Sequence, residues 1–208
     1  MPRIDDYKNT LTIAQEEFRK KDPRSLALNC GAEYLPDPTG GTIGLPVLNR
    51  RITINWPEGK IAVPEGAKEF SLQEQGLIMH YLIQAKGAPL TQTWITFREI
   101  PSGEFYYSAF VKRAKEPLVK TFGDRPELLI ELGIKMGGAK GSEGDASLLF
   151  KVFPYIPVCL VLWAGDDEFP PDGNLLFDAS ISQYLSAEDI AVLSGMVVYP
   201  LIGMAYKS

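Results

Sequence analysis

Two apolar runs, Ala146–Phe153 and Ile156–Ala164, stand almost back to back in the chain, parted only by Pro154 and Tyr155. Each has strand length, and neither alternates with polar residues. They read as a central hairpin buried on both faces. Whatever else the chain does, it must cover that hairpin.

The flanking pattern supplies helices. Ile4, Tyr7, Leu11, Ala14 and Phe18 recur at helical spacing and predict an amphipathic helix over 4–20. Asp22-Pro23 starts a second short helix, with Pro at its first position and Gly31 as its stop. Ser71-x-x-Glu74 is a capping box opening a helix that runs to about Lys86 and stops at Gly87. Phe110–Phe122 is helical with a break at Glu116-Pro117, and Pro126 restarts a helix ending at Gly137-Gly138. Ser186-x-x-Asp189 caps the last helix, which Pro200 should kink or end. Between these lie strand pairs. Residues 32–66 predict a small meander around Arg51–Trp56 and Lys60–Val63. Trp94–Ile100 is expected as a strand, with Glu104–Tyr107 returning beside it, and Asn174–Phe177 as a further short strand. No regular βαβ rhythm appears. The class is α+β, a mixed or antiparallel sheet of hairpins packed against several helices, with a buried C-terminal helix.

Composition agrees with one globular body. With 208 residues, 45% apolar and 23% charged, the chain is expected as a single domain over 1–208, with N-terminal helices and the small meander over 1–66 and the core over 67–208. It should bury roughly 70% of its unfolded surface, so it needs neither disulfide nor structural metal. A net charge of −5 argues against nucleic-acid binding, since Arg19-Lys20-Lys21 and Lys112-Arg113 are short basic runs diluted by acids. The two cysteines, Cys30 and Cys159, are too far apart in sequence for a four-cysteine cluster. Cys159 is expected as a buried small hydrophobe and Cys30, before Gly31, as half-exposed. So few cysteines, and residues 1–22 charged throughout rather than shaped as a signal peptide, point to the cytoplasm. Ile190–Tyr206 carries no charge, yet as a helix it would reach only about 26 Å and contains Ser194, Gly195, Pro200 and Gly203. It reads as a buried helix, not a membrane span.

Three features could carry chemistry. The single histidine, His80, lies beside the apolar face of the capped helix, in a stripe with Gln73, Gly76 and Gln84. Gly76, one turn back, leaves room beside the imidazole for a ligand, so His80 is a candidate axial ligand or proton shuttle. A packed histidine bonded to a carbonyl is the plainer alternative. The loop after Trp163 places Asp166, Asp167 and Glu168 in succession, followed by Asp172 and Asp178. Such oxygens can hold Ca²⁺ or Mg²⁺, but three adjacent acids do not converge on one ion without a special turn. A solvated turn with one acid capping the backbone of Phe169 is the competing reading. In Trp94–Ile100, period two sets Trp94, Thr96 and Arg98 on one face, where Arg98 could meet an anion or pair with Asp166 or Asp167. No G-x-S-x-G elbow, P-loop, dinucleotide fingerprint or H-E-x-x-H occurs. The candidate ligand-binding set is therefore His80, Gly76, Trp94, Arg98, Trp163, Asp166, Asp167, Glu168 and Asp178, with no metal set assigned.

The stretches HYLIQAKGAPLTQTWITFREIPSGEFYY at 80–107 and LWAGDDEFPPDGNLLFDASISQYLSAED at 162–189, with the FG at 122–123, resemble a bacterial and archaeal family common in anaerobes and known only as a domain of unknown function. The resemblance covers roughly 70–200 and makes 67–208 the family core. Some relatives carry an N-terminal four-cysteine iron–sulfur module similar to that of the corrinoid iron–sulfur protein of one-carbon metabolism. This chain lacks those cysteines. The resemblance thus implies no iron–sulfur cluster in this chain, and any electron-transfer role through an iron–sulfur or corrinoid protein partner.

Three functions stand as expectations. The first is a cytoplasmic ligand-binding or accessory domain for a tetrapyrrole or corrinoid, which one histidine, a glycine gap and several aromatics would suit. The second is a carboxylate-dependent enzyme, with or without metal assistance, built on Asp166, Asp167, Glu168 and Asp178. The third is a structural subunit of a complex.

Overall fold

The computed structural model describes residues 4–207. They form two compact units that interleave along the chain, so no single cut separates them. The first holds the described residues up to Pro89, with Phe153–Tyr155 and Gln183–Leu185. The second holds Leu90–Val152, Ile156–Ser182 and the described residues from Ser186 onward.

The first unit opens with α1 (Ile4–Phe18), which buries Leu11, Ala14 and Phe18, the 3-and-4 spacing of an amphipathic helix. In α2 (Pro23–Cys30) the Asp22 carboxylate accepts from Ser25 N–H at 2.9 Å. Gly31, at φ +70°, takes the left-handed turn that ends the helix. A four-stranded antiparallel meander comes next, in the order β1 (Glu33–Asp37), β2 (Gly40–Val47), β3 (Arg50–Trp56), β4 (Ile61–Ala62). Its Ile43, Leu45, Ile52 and Ile54 are wholly buried. So are Ile78, Met79, Tyr81 and Leu82 of α3 (Leu72–Gln84), whose Ser71–Glu74 capping box is formed. Tyr81 organises this core. Its ring stacks on Phe153 with centroids 4.3 Å apart, and its hydroxyl donates to the Cys30 carbonyl at 2.9 Å. Cys30 itself is 0% exposed, not half-exposed as expected. A residue that closes a helix facing the core is buried whether or not a glycine comes after it, and that burial pushes its thiol up to about 12.

The second unit contains the central hairpin, β7 (Ala146–Phe153) and β8 (Ile156–Trp163), except for Phe153 and the turn after it. They sit in a five-stranded sheet ordered β5-β9-β8-β7-β6, with β5 (Trp94–Thr96), β6 (Ala139–Lys140) and β9 (Asp172–Asp178). Helices α4 (Gly103–Phe110), α5 (Glu116–Phe122), α6 (Pro126–Lys135) and α7 (Ala187–Ala205) complete the unit. Phe97 stacks on Phe110 at 4.4 Å, and both meet Phe177 of β9 edge-on. The fold is α+β, with a largely buried C-terminal helix. Among the described residues α7 alone is long and apolar enough to cross a membrane, and 61% of its apolar stretch is buried in the protein.

Two local expectations are corrected. The strand expected over 94–100 ends at Thr96. Glu99 turns back to accept from the Thr96 N–H at 2.7 Å and hydroxyl at 2.8 Å, winding Phe97–Glu99 into a 3-10 turn. The expected return strand Glu104–Tyr107 is helical, part of α4. Its aromatic composition favours strands, but Ser102 at φ +63° and Gly103 reverse the chain so tightly that a helix begins at once. Of the two outcomes expected at Pro200, a kink or an end, the helix does not end there but runs on to Ala205. The proline itself is exposed, and its ring lies on the solvent side of the helix. The break expected at Glu116-Pro117 takes the form of a π-helical turn, Val111–Lys115, closed by the Glu116 N–H on the Val111 carbonyl. It widens the helix just ahead of a residue that crowds the carbonyl four positions back.

Gly103 is the tightest point of this arrangement: a Cβ there would sit 2.1 Å from the Phe97 carbonyl oxygen. Gly103→Ala should therefore destabilise the protein by about 1–3 kcal/mol through forced backbone displacement. Urea unfolding monitored by circular dichroism checks this.

Candidate functional site

In the first unit, α3 carries Gly76, His80 and Gln84 four residues apart, one stripe along the helix. Gly76 is buried, yet a Cβ built on it would find no atom within 4 Å. The space that the glycine leaves is therefore open. His80 is half-buried and engaged within the fold. Toward the N-terminal end of the stripe, Gln73 donates its amide to the Tyr7 hydroxyl of α1. Toward the other end, Ile83 and Gln84 line a cleft of about 640 Å³ between α2 and α3. Sequence reasoning found the stripe but missed the cleft. Nothing local in Lys21, Asn29 or Lys86 announces it, because it exists only once α2 is laid beside α3.

The remaining candidates belong to the second unit, and most have structural work. Arg98 does not pair with Asp166 or Asp167. Its guanidinium lies 4.0 Å from the Tyr107 ring centroid and 3.5 Å from the Glu104 carboxylate. The 3-10 turn at Phe97–Glu99, unforeseen in the period-two pattern, is what sends it there. Asp166 accepts from the N–H of Phe169 at 2.7 Å and of Glu168 at 2.9 Å, and those donors hold its carboxyl below the usual carboxylate range. The loop is thus the capped, solvated turn, with Asp167 and Glu168 exposed. Trp94 and Trp163 are 39% and 43% exposed. Trp94 pairs across the sheet with Asp178 and Trp163 with Asp172. They occupy opposite ends of β9, about 20 Å apart at strand rise, so they do not form one aromatic surface.

Asp178 is the most committed acid. It is 4% exposed and accepts from the Thr91 N–H and hydroxyl, the Gln92 N–H and the Ser180 N–H, at 2.7–3.0 Å. Burial alone would raise its carboxyl, but the hydrogen bonds of Ser180 and Thr91 outweigh it and hold it at about 2. A carboxylate so low and so fully engaged is no general base near neutrality. Among the described residues no group of three or more His, Cys, Asp or Glu is placed to hold a metal ion. The second unit also has a cleft of about 520 Å³ beside the π-helical turn, lined by Val111, Val119 and the Lys115–Asp172 ion pair, which is 3.0 Å long.

The chain is thus an α+β protein in which Asp166 and Asp178 serve its turns and the one histidine lies one turn from an opening in a helix face. It belongs to the family described as Domain of unknown function (DUF3786), which it matches over residues 22–199. No curated protein and no solved structure matches it.

Two measurements check this geometry. Gly76→Ala, in a helix and facing open space, should raise stability by about 0.5–1 kcal/mol, read as a shift in the urea midpoint. A loss would mean that the space is filled. The folded Asp178 carboxyl lies below its ordinary 3.8, so its stabilisation is complete above about pH 4 and is lost as pH falls through about 2. The advantage of the native protein over Asp178→Asn should therefore shrink by about 2 kcal/mol between pH 6 and pH 2, measured by denaturant unfolding across that range.

Proposed function

We propose that this chain is a ligand-binding or accessory domain that takes a cofactor-sized ligand on the Gly76–His80 stripe of α3, and that it is not a carboxylate enzyme. The observation that carries this is the open space at Gly76, one turn from the only histidine in the protein. An imidazole engaged by a neighbour in the fold, with an opening one turn away, is a residue that would hold a metal-centred ligand. A tetrapyrrole or corrinoid is the ligand class that the residues and the family resemblance favour together. Such a group would supply redox or one-carbon chemistry, and this chain would hold and orient it for an iron–sulfur or corrinoid protein partner. The carboxylate reading loses support because Asp166 and Asp178 are both occupied by backbone N–H groups.

An absorption spectrum of the purified protein, with titrations of haem and cobalamin, tests the proposal. One of the two should bind saturably with a shifted visible band. His80→Ala should abolish the shift, and Gly76→Leu, which fills the opening, should weaken binding at least tenfold. A colourless protein indifferent to both ligands overturns it.

A further inference from the structure

The two clefts differ in one decisive respect. In the second unit two lysines, Lys115 and Lys120, share the cleft with two acids, Glu116 and Asp172, and Lys115 is paired with Asp172. In the first unit Lys21 and Lys86 both line the α2–α3 cleft, and among the described residues neither is in an ion pair. The Lys86 ammonium reaches only a neutral amide oxygen, that of Gln183, at 3.4 Å.

The one acid on the cleft wall is already committed. One Asp22 oxygen accepts from both the backbone N–H and the hydroxyl of Ser25, at 2.9 and 2.8 Å, and those bonds hold its carboxyl below the ordinary range. Its charge meets the positive end of α2, which offsets much of its repulsion toward a second anion. Two lysines without an acidic partner are left facing one cleft, in a chain whose acids outnumber its bases by five. The floor between them is apolar: Leu26 is buried and Ile83 half-buried. Asn29 adds a neutral polar side chain on the α2 wall. The volume, about 640 Å³, lies within the range of small-molecule sites.

We infer that the α2–α3 cleft binds a small organic anion. Its carboxylate or phosphate group lies between Lys21 and Lys86, and its apolar body rests on Leu26 and Ile83. The site adjoins the His80 stripe through Ile83 and Gln84 but does not depend on a metal-centred ligand there. Its test uses different probes from the haem and cobalamin titrations, so either reading can fail alone.

The experiment is calorimetric titration of the full chain with benzoate, with phenyl phosphate and with benzylammonium, a cation of similar size. Amide chemical-shift mapping accompanies it. At least one of the two anions should bind saturably at a single site, and whichever binds more tightly identifies the head group. Shifts should concentrate at residues 21–29 and 83–87. The exposed pair Lys21→Met/Lys86→Met should weaken binding at least tenfold with the circular dichroism spectrum unchanged, and Lys151→Met, on β7, should leave it unaltered. The inference is overturned if neither anion saturates, if benzylammonium binds equally well, if the shifts fall elsewhere, or if the double variant binds like the native protein.

Discussion

A carboxylate accepting from backbone N–H groups is the interaction on which this structure most depends. Asp178 is its strongest instance. Its two oxygens gather the N–H groups of Thr91, Gln92 and Ser180 at the point where β9 ends beside Trp94, so one buried charge pins the edge strand to its neighbour. The same device opens α2 at Asp22, α3 at Glu74 and α7 at Asp189, closes the 3-10 turn at Glu99, and ties the loop at Asp166. Each satisfies donors that a helix start or tight turn would otherwise leave without partners. Six of the 26 acids of the chain are engaged in this way.

The two long stretches at 80–107 and 162–189 are built largely from such connections. In the first, Gly103 admits the Phe97 carbonyl, Glu99 closes a turn and Arg98 lies over Tyr107. In the second, Gly165 makes room for Pro171 and Asp166 holds Phe169. Residues that look like a reactive cluster in one dimension are the parts of a tight connection in three. On α3 and the cleft beside it the architecture leaves an opening at Gly76, one turn from His80, and two lysines without an ion-pair partner lining a shared hollow.

Legibility tracked the range of the forces involved. The capping boxes at Ser71–Glu74 and Ser186–Asp189, the Asp22 cap and the Gly31 stop act within four residues, and each was readable from its own letters. The buried hairpin was readable because two runs of unbroken apolarity leave few other solutions. The misread segments are those where a single contact overrides a propensity. Phe105-Tyr106-Tyr107 favours strand, yet the reversal at Ser102-Gly103 commits it to helix. Cys30, beside a glycine, reads as half-exposed, yet Tyr81 and its neighbours enclose it.

The sequence alone determined the class of fold, the positions of most helix starts and the singularity of His80, because periodicity, capping and composition are properties of neighbouring residues. Only tertiary structure decided which acids are engaged and where clefts open. Whether Arg98 meets Asp166 or Glu104, and whether Lys21 and Lys86 face the same space, depends on how segments far apart in the chain are laid together. Hydrogen bonds and excluded volume set that placement, and neither is written in local pattern.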